Sequence, residues 1–145
     1  MIKIAHRGNY KGVNKERENT IPYLKEAIAA GYDVEVDVWF EDGQYFLGHD
    51  GPEHLASLSD LYEISDNAWF HAKNYKALEN FIYLGLHVFF HDKDEYTITS
   101  QGIIWAYSGK YVNNFGIACM PESTPGFVVP DDVLGICSDN FEPIV

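Results

Sequence analysis

The sequence predicts an α/β fold built on a parallel sheet, on three observations. Over residues 1–92, short apolar runs of strand character alternate with segments of helical period. Two of those helical segments end in a glycine, Gly31 and Gly85, as helices that hand over to a following strand commonly do. Ionisable residues recur at the ends of the strand segments, where parallel α/β proteins carry their chemistry.

The elements follow in order. "IKIAH" (2–6) reads as a strand that stops at the turn-forming Arg7-Gly8-Asn9. In "NTIPYLKEAIAAG" (19–31), Ile21, Leu24, Ala27 and Ile28 recur at helical spacing, with Asn19 or Thr20 as the start. "DVEVDVWF" (33–40) alternates with period two, "EDG" predicts a hairpin turn, and "QYFLGHD" returns. "SLSDLYEIS" (57–65) predicts a short helix, "AWFHAK" (68–73) a strand, "NYKALENFIYLG" (74–85) a helix and "HVFFHD" (87–92) a strand. Beyond that the pattern loosens. "IIWAYS" (103–108), "FGIACMP" (115–121) and "LGICSD" (134–139) predict strands joined by loops or single helical turns.

The chain of 145 residues fits one domain, 1–145, and its 46% hydrophobic and 15% aromatic content is ample for a core. No apolar run reaches bilayer-spanning length, and "MIKIAHRGNY" lacks the apolar stretch of a signal peptide, so the expected compartment is the cytoplasm. A net charge of -12, from 22 acids against 10 bases, repels polyanions and argues against nucleic acid or anionic membranes as partners. It leaves room for a small phosphate ester held by local cations. Cys119 and Cys137 each sit in an apolar run and read as buried free thiols on two strands.

Glu35 and Asp37 stand out. Two residues apart, they share one face of a strand that otherwise reads as buried. Burying carboxylates costs several kcal/mol each unless they are paired or bind a cation. The same spacing puts His71 and Lys73 on one face of the next strand. If both pairs look into the same mouth, Glu35, Asp37 and His71 converge on one point as ligands for a cation. His49 follows just beyond the hairpin, and His6 ends the first strand. Glu18 and Asn19 serve either to cap the first helix or to orient Arg7.

In register, "AHRG" (5–8), "ENT" (18–20), "VEVDV" (34–38), "DGQYFLGHD" (42–50) and a closing "GICSD" (135–139) resemble the glycerophosphodiester phosphodiesterase family. That family belongs to the wider group resembling phosphatidylinositol-specific phospholipase C. The resemblance implies a TIM-type (β/α) barrel, contracted here because the chain is far shorter than the roughly 250 residues of an ordinary one. Its helices would be reduced in the second half. It also implies metal-assisted phosphodiester cleavage, with His6 and His49 as the acid–base pair, Arg7 on the phosphate, and Glu35 and Asp37 on the metal. Cleavage also requires the phosphate charge to be neutralised, which Lys73 would do beside Arg7 and the ion. The family's third strand carries Glu-x-Lys, whereas the matching positions here are His71 and Lys73. The implied ion is magnesium or calcium, with manganese or zinc suited to the imidazole.

The expected function is therefore hydrolysis of a glycerophosphodiester or sugar phosphodiester, small or polymer-borne. Two alternatives stand beside it: a non-catalytic module binding a phospho-ligand or glycan, and a metal-independent lyase forming a cyclic phosphate. Reduced helices would leave apolar sheet faces exposed and favour a homodimer.

Overall fold

A computed structural model describes residues 1–142. Ten strands join in one curled, mixed sheet: β1 (Ile2–His6), β2 (Asp33–Glu41), β3 (Gln44–Leu47), β4 (His54–Ala56), β5 (Ala68–Ala72), β6 (Val88–Phe90), β7 (Tyr96–Ile98), β8 (Ile104–Ala106), β9 (Gly116–Cys119) and β10 (Gly135–Ser138). The helices are α1 (Ile21–Ala29), α2 (Leu58–Ile64) and α3 (Tyr75–Tyr83). Neighbouring strands run β6–β5–β2–β1–β10–β9–β8 in parallel, and β7 lies antiparallel on β8.

The local chemistry explains the boundaries. Thr20, in extended backbone, is the N-cap of α1 and Pro22 occupies its first turn, where the missing N–H costs nothing. A reciprocal Ser57–Asp60 capping box starts α2, and Asn74 accepts the Ala77 N–H at 3.1 Å to start α3. Asp42 and Gly43 both have positive φ, 51° and 75°, the twist that a two-residue hairpin between β2 and β3 requires.

β2 organises the sheet. One of its edges pairs along its length with β5, from Val34↔Ala68 to Val38↔Ala72. The other edge is shared, with β1 up to His6↔Glu35 and β3 from Val38↔Leu47 onward. Its two faces have different chemistry. Val34, Val36 and Val38 pack with Leu24 and Ala27 of α1 and with Phe70 and Phe81 in the larger core. On the other face, beneath Glu35 and Asp37, lies a second core of Ile4, Trp69, Phe89, Trp105, Ile117 and Cys137. Its aromatic rings stack, Phe89 on Trp105 at 4.5 Å between centroids, with Trp69 and Trp105 5.8 Å apart.

The expected TIM-type barrel is not what forms. A (β/α) barrel needs a helix after every strand, whereas the three α-helices among the described residues all precede β6. The later connections forbid more. Residues 99–103 are too short to cross over and instead let β7 turn back antiparallel onto β8. The connection from β9 to β10 carries Pro121, Pro125, Gly126 and Pro130 and forms only a 3-10 turn at Pro121–Ser123. The result is a curled half-barrel backed by helices along β1, β2, β5 and β6 alone. No described helix is long and apolar enough to cross a membrane. Cys119 and Cys137 are free thiols at paired positions of β9 and β10.

Phe70 is 0% exposed and meets Phe81 edge to face at 4.9 Å. Phe70→Ala should lower the unfolding free energy by about 3–5 kcal/mol in urea titration. Tyr83→Ala, at a residue 88% exposed, should change it by no more than about 0.5 kcal/mol. Similar losses for both would mean that the helix-backed face is not the main core.

Candidate functional site

β1 ends at His6 and the chain turns at once. Arg7 adopts φ 58°, a left-handed conformation uncommon outside glycine. Several bonds hold it there. The Arg7 N–H donates to the Glu35 carbonyl at 3.0 Å and to Glu35 Oε1 at 3.2 Å, and the Arg7 carbonyl accepts the Asn19 N–H at 3.0 Å. Asn19 is itself left-handed, with φ 58°. Such conformations cost of order 1–3 kcal/mol and persist only where their surroundings over-determine them. Here the turn delivers the guanidinium to Glu18 (Nη1–Oε1 3.3 Å) and to Asp37 (Nε–Oδ2 3.4 Å), with Nε buried and short of a hydrogen bond.

Glu35 and Asp37 are 2% and 1% exposed, so their charges are compensated locally or not at all. Asn19 grips Asp37 twice: its Nδ2 donates to Oδ2 at 2.9 Å, and its Oδ1 accepts the Asp37 N–H at 3.1 Å. His71 faces both acids. Its Nδ1 lies 3.3 Å from Glu35 Oε2 and 3.3 Å from Asp37 Oδ1, and that Asp37 oxygen has no hydrogen-bond partner. The other nitrogen, Nε2, donates to the His91 carbonyl at 2.9 Å, because a carbonyl can only accept. Nδ1 is therefore the nitrogen left for the carboxylates. It meets them either protonated, as an imidazolium, or with a lone pair that shares a cation with them. Glu35, Asp37 and His71 each offer one ligand atom within 4.8 Å of the others.

His6 belongs to the same constellation. Its Nδ1 donates to Asp139 Oδ1 at 2.8 Å, leaving Nε2 turned to Glu35 Oε1 at 3.9 Å. Asn9 binds Asp139 and Glu18 through Nδ2, at 3.1 and 3.2 Å, and so ties the partner of His6 to the partner of Arg7.

His49 enters along the same edge of β2. The Arg7 N–H takes the Glu35 carbonyl and the Gly48 N–H takes the next one on that edge, Asp37, at 3.1 Å. The loop bearing His49 thus starts beside Arg7. A side chain at Gly48 is impossible, since its Cβ would lie 2.2 Å from the Gly51 carbonyl oxygen. His49 itself is 42% exposed and bonds Asp50 at 2.8 Å, with no contact to His6 among the described hydrogen bonds and ion pairs. Lys73 fixes the end of β5 through its N–H to the Val38 carbonyl at 2.8 Å. Its ammonium has no hydrogen bond or ion pair among the described residues.

The electrostatics follow from this packing. Burial alone would lower His6 and His71. For His6, the Asp139 hydrogen bond and the Glu35 charge outweigh burial and raise it to about 9. For His71, Asp37 and Glu35 raise it to about 10. Burial would raise Asp37, but His71, Asn19 and Arg7 hold it well below the usual carboxylate range. Asp139 is lowered in the same way by His6 and Asn9 against its own burial. With no cation bound, both imidazoles therefore carry their protons near neutrality and both aspartates are ionised.

Of the residues expected from sequence, His6, Arg7, Glu35, Asp37 and His71 come together; His49 lies on the loop that starts beside Arg7, and Lys73 ends β5 with no side-chain contact to the cluster among the described hydrogen bonds and ion pairs. Asp139, Asn9 and the double grip of Asn19 escaped the sequence reading as partners. Their only signals were Asp139 at the end of a strand and Glu18-Asn19 ahead of a helix that Thr20 in fact caps. Comparison with family models, curated proteins and solved structures finds no match to this chain.

These shifts fix a stability profile for ion-free protein. His6 and His71 hold their protons more tightly folded than at their ordinary value near 6.5, so their contribution is full below that pH. It falls as pH rises through 9 to 10. Asp37 and Asp139 contribute above their ordinary value near 3.9, and that contribution is lost as pH falls through their depressed folded values. Urea titrations should therefore show a plateau between about pH 5 and 6.5 and a loss on the order of a few kcal/mol by pH 10. A flat profile from pH 6 to 10 would mean that the two imidazoles are not held as ion pairs.

Proposed function

We propose that this protein cleaves phosphodiesters of glycerol- or sugar-type alcohols, using two histidines and a cation held by Glu35, Asp37 and His71. One observation carries the reading. Two fully buried carboxylates and an imidazole nitrogen converge on a single point beside an arginine and a histidine that a carboxylate orients.

The donor set fits a divalent ion. Asp37 Oδ1 lacks a hydrogen-bond partner, and the His71 Nε2–H is committed to a backbone carbonyl, the arrangement that frees Nδ1 to ligate. When bound, such an ion withdraws electron density from a phosphate oxygen. The protein's own groups do the rest. Arg7 supplies a guanidinium beside the bound phosphate, and Lys73 supplies a second positive charge from the end of β5. His6, protonated and aligned by Asp139, donates its Nε2 proton to the departing alkoxide. His49, on the loop beside Arg7, takes the proton of the nucleophile. A water nucleophile gives hydrolysis, and a neighbouring substrate hydroxyl gives a cyclic phosphate.

A second reading has its own support. With Nδ1 protonated, His71 already neutralises both carboxylates, so the same geometry serves a cleavage that needs no metal.

A panel of glycerol, sugar and inositol phosphodiesters followed by phosphorus NMR, with and without chelator, tests the proposal. Turnover that chelator abolishes supports the metal-assisted reading; turnover that survives it supports the second. Silence on every ester with magnesium, calcium, manganese and zinc would refute both. His6→Ala should lower turnover on the order of a hundredfold or more, with the protein still folded by circular dichroism.

The ligand set also predicts metal preference. Two carboxylates and an imidazole suit manganese or zinc better than magnesium or calcium. Isothermal titration should show the parent binding a transition ion more tightly than magnesium, and His71→Glu should shift preference towards magnesium or calcium. If His71→Ala binds every ion as the parent does, His71 is not a ligand.

A further inference from the structure

β6 delivers one more histidine to the same end of the sheet. His87, Phe89 and His91 occupy alternate positions, and Phe89 lies on the inner face, with its ring stacked on His71 at 4.8 Å and 15°. The His91 ring follows one step beyond, its centroid 6.4 Å from that of His71 and 5.8 Å from that of Tyr107. Its side chain is only 8% exposed, yet neither ring nitrogen has a hydrogen-bond partner among the described residues, and Nδ1 is sealed from water. A buried polar atom left in that state is costly, since it has given up water without gaining a partner. Its backbone does have a task, accepting the His71 Nε2–H, so the main chain at His91 is fixed, while its imidazole has one polar neighbour, Asp94 at 3.7 Å from Nδ1, and none at Nε2 among the described residues.

Its position gives that imidazole a use. His6 and the His49 loop both reach the cluster from the edge of β2 that pairs with β1 and β3. His91 comes from the opposite edge, through β5 to β6. The two strand-end histidines also resemble one another. His6 presents Nδ1 to Asp139 at 2.8 Å, and His91 presents Nδ1 to Asp94 at 3.7 Å, which leaves Nε2 free in both. A phosphodiester bound over the cluster presents oxygens to both edges of β2. His6 and the His49 loop stand on the β1 side, while Lys73 at the end of β5 and His91 just beyond β6 stand on the other.

We propose that His91 is a ligand-contacting residue of this site, its imidazole Nε2 hydrogen-bonding an oxygen of the phosphodiester on the side opposite His6. The inference rests on the phosphodiester reading above. It adds the far side of the bound group, with the half-exposed Tyr107 at its rim.

The probe is glycerol 3-phosphate added to the protein loaded with zinc, a diamagnetic ion, followed by isothermal titration and by nitrogen NMR of histidine-labelled protein. Expected are a shift of the His91 imidazole resonances in the parent and at least tenfold weaker binding by His91→Gln and His91→Phe, with melting temperatures close to the parent's. His91→Gln should be the milder, since its amide can still reach a phosphate oxygen. Should the phenylalanine variant fail to fold, the glutamine variant and the parent's NMR signals carry the test. An unmoved His91 signal while the parent binds, or parent-like affinity in a folded variant, overturns the assignment and leaves the phosphodiester reading standing. A parent that neither binds the probe nor cleaves any ester overturns both.

Discussion

Everything at the open end of this sheet answers one constraint, the burial of two carboxylates on the inner face of β2. Glu35 and Asp37 have almost no access to water, and desolvating an unpaired carboxylate costs more than most single interactions return. Arg7, Asn19 and His71 therefore surround them, each reaching the acids by a different route. The left-handed turns at Arg7 and Asn19 are part of that answer, since a regular strand end would carry the guanidinium away from Asp37. Glu18, Asn9 and Asp139 then form an outer ring that keeps Arg7 and His6 in register. Remove the acids and the rest of the cluster loses its reason to be charged.

The floor beneath the acids shapes how strongly they act. Trp69, Phe89 and Trp105 fill the inner face below the polar layer and keep water from reaching it from underneath. In so apolar a setting, fields between fixed charges are stronger than at a wetted surface. Phe89 also stacks flat on His71, while the His91 carbonyl takes its Nε2–H. Ring plane and tautomer are thus set by β6 and the residue just past it, a segment that carries none of the three clustered donors. His71 can meet the acids with Nδ1 only.

What the sequence disclosed follows from the range of the interactions involved. Period-two alternation is local, so the shared face of Glu35 and Asp37, and that of His71 and Lys73, could be read directly. So could the Asp42-Gly43 turn and the placement of ionisable residues at strand ends. The partners of those residues could not. Asp139 meets His6 and Asn9 across almost the whole chain; a closing strand at 135–139 suggested that β10 would lie beside β1, but no local pattern says which side chains meet there. Asn19 looked like a helix cap because caps and left-handed turns favour the same residue types. The short strands β4 and β7 carry too few residues for alternation to register. The barrel expectation failed at the same point, because it extended the helix-backed pattern of residues 1–92 into connections that proline, glycine and brevity keep from being helical.

That failure bears on the site less than it first suggests. A charged cluster works only if its members are held to within a fraction of an ångström, which demands rigid backing behind the strands that carry it. Glu35, Asp37 and His71 stand on β2 and β5, and the reverse faces of those strands are sealed by α1 and α3 through Val34, Val36, Phe70 and Phe81. His6 extends from β1, between β2 and β10. The strands without helices, β7 to β9, contribute no member of the cluster, and β10 contributes one carboxylate, itself anchored by two hydrogen bonds. The helices are missing where the cluster does not need them. A chain this short can therefore carry a precisely held group of charges: the packing that fixes their positions is concentrated behind two strands.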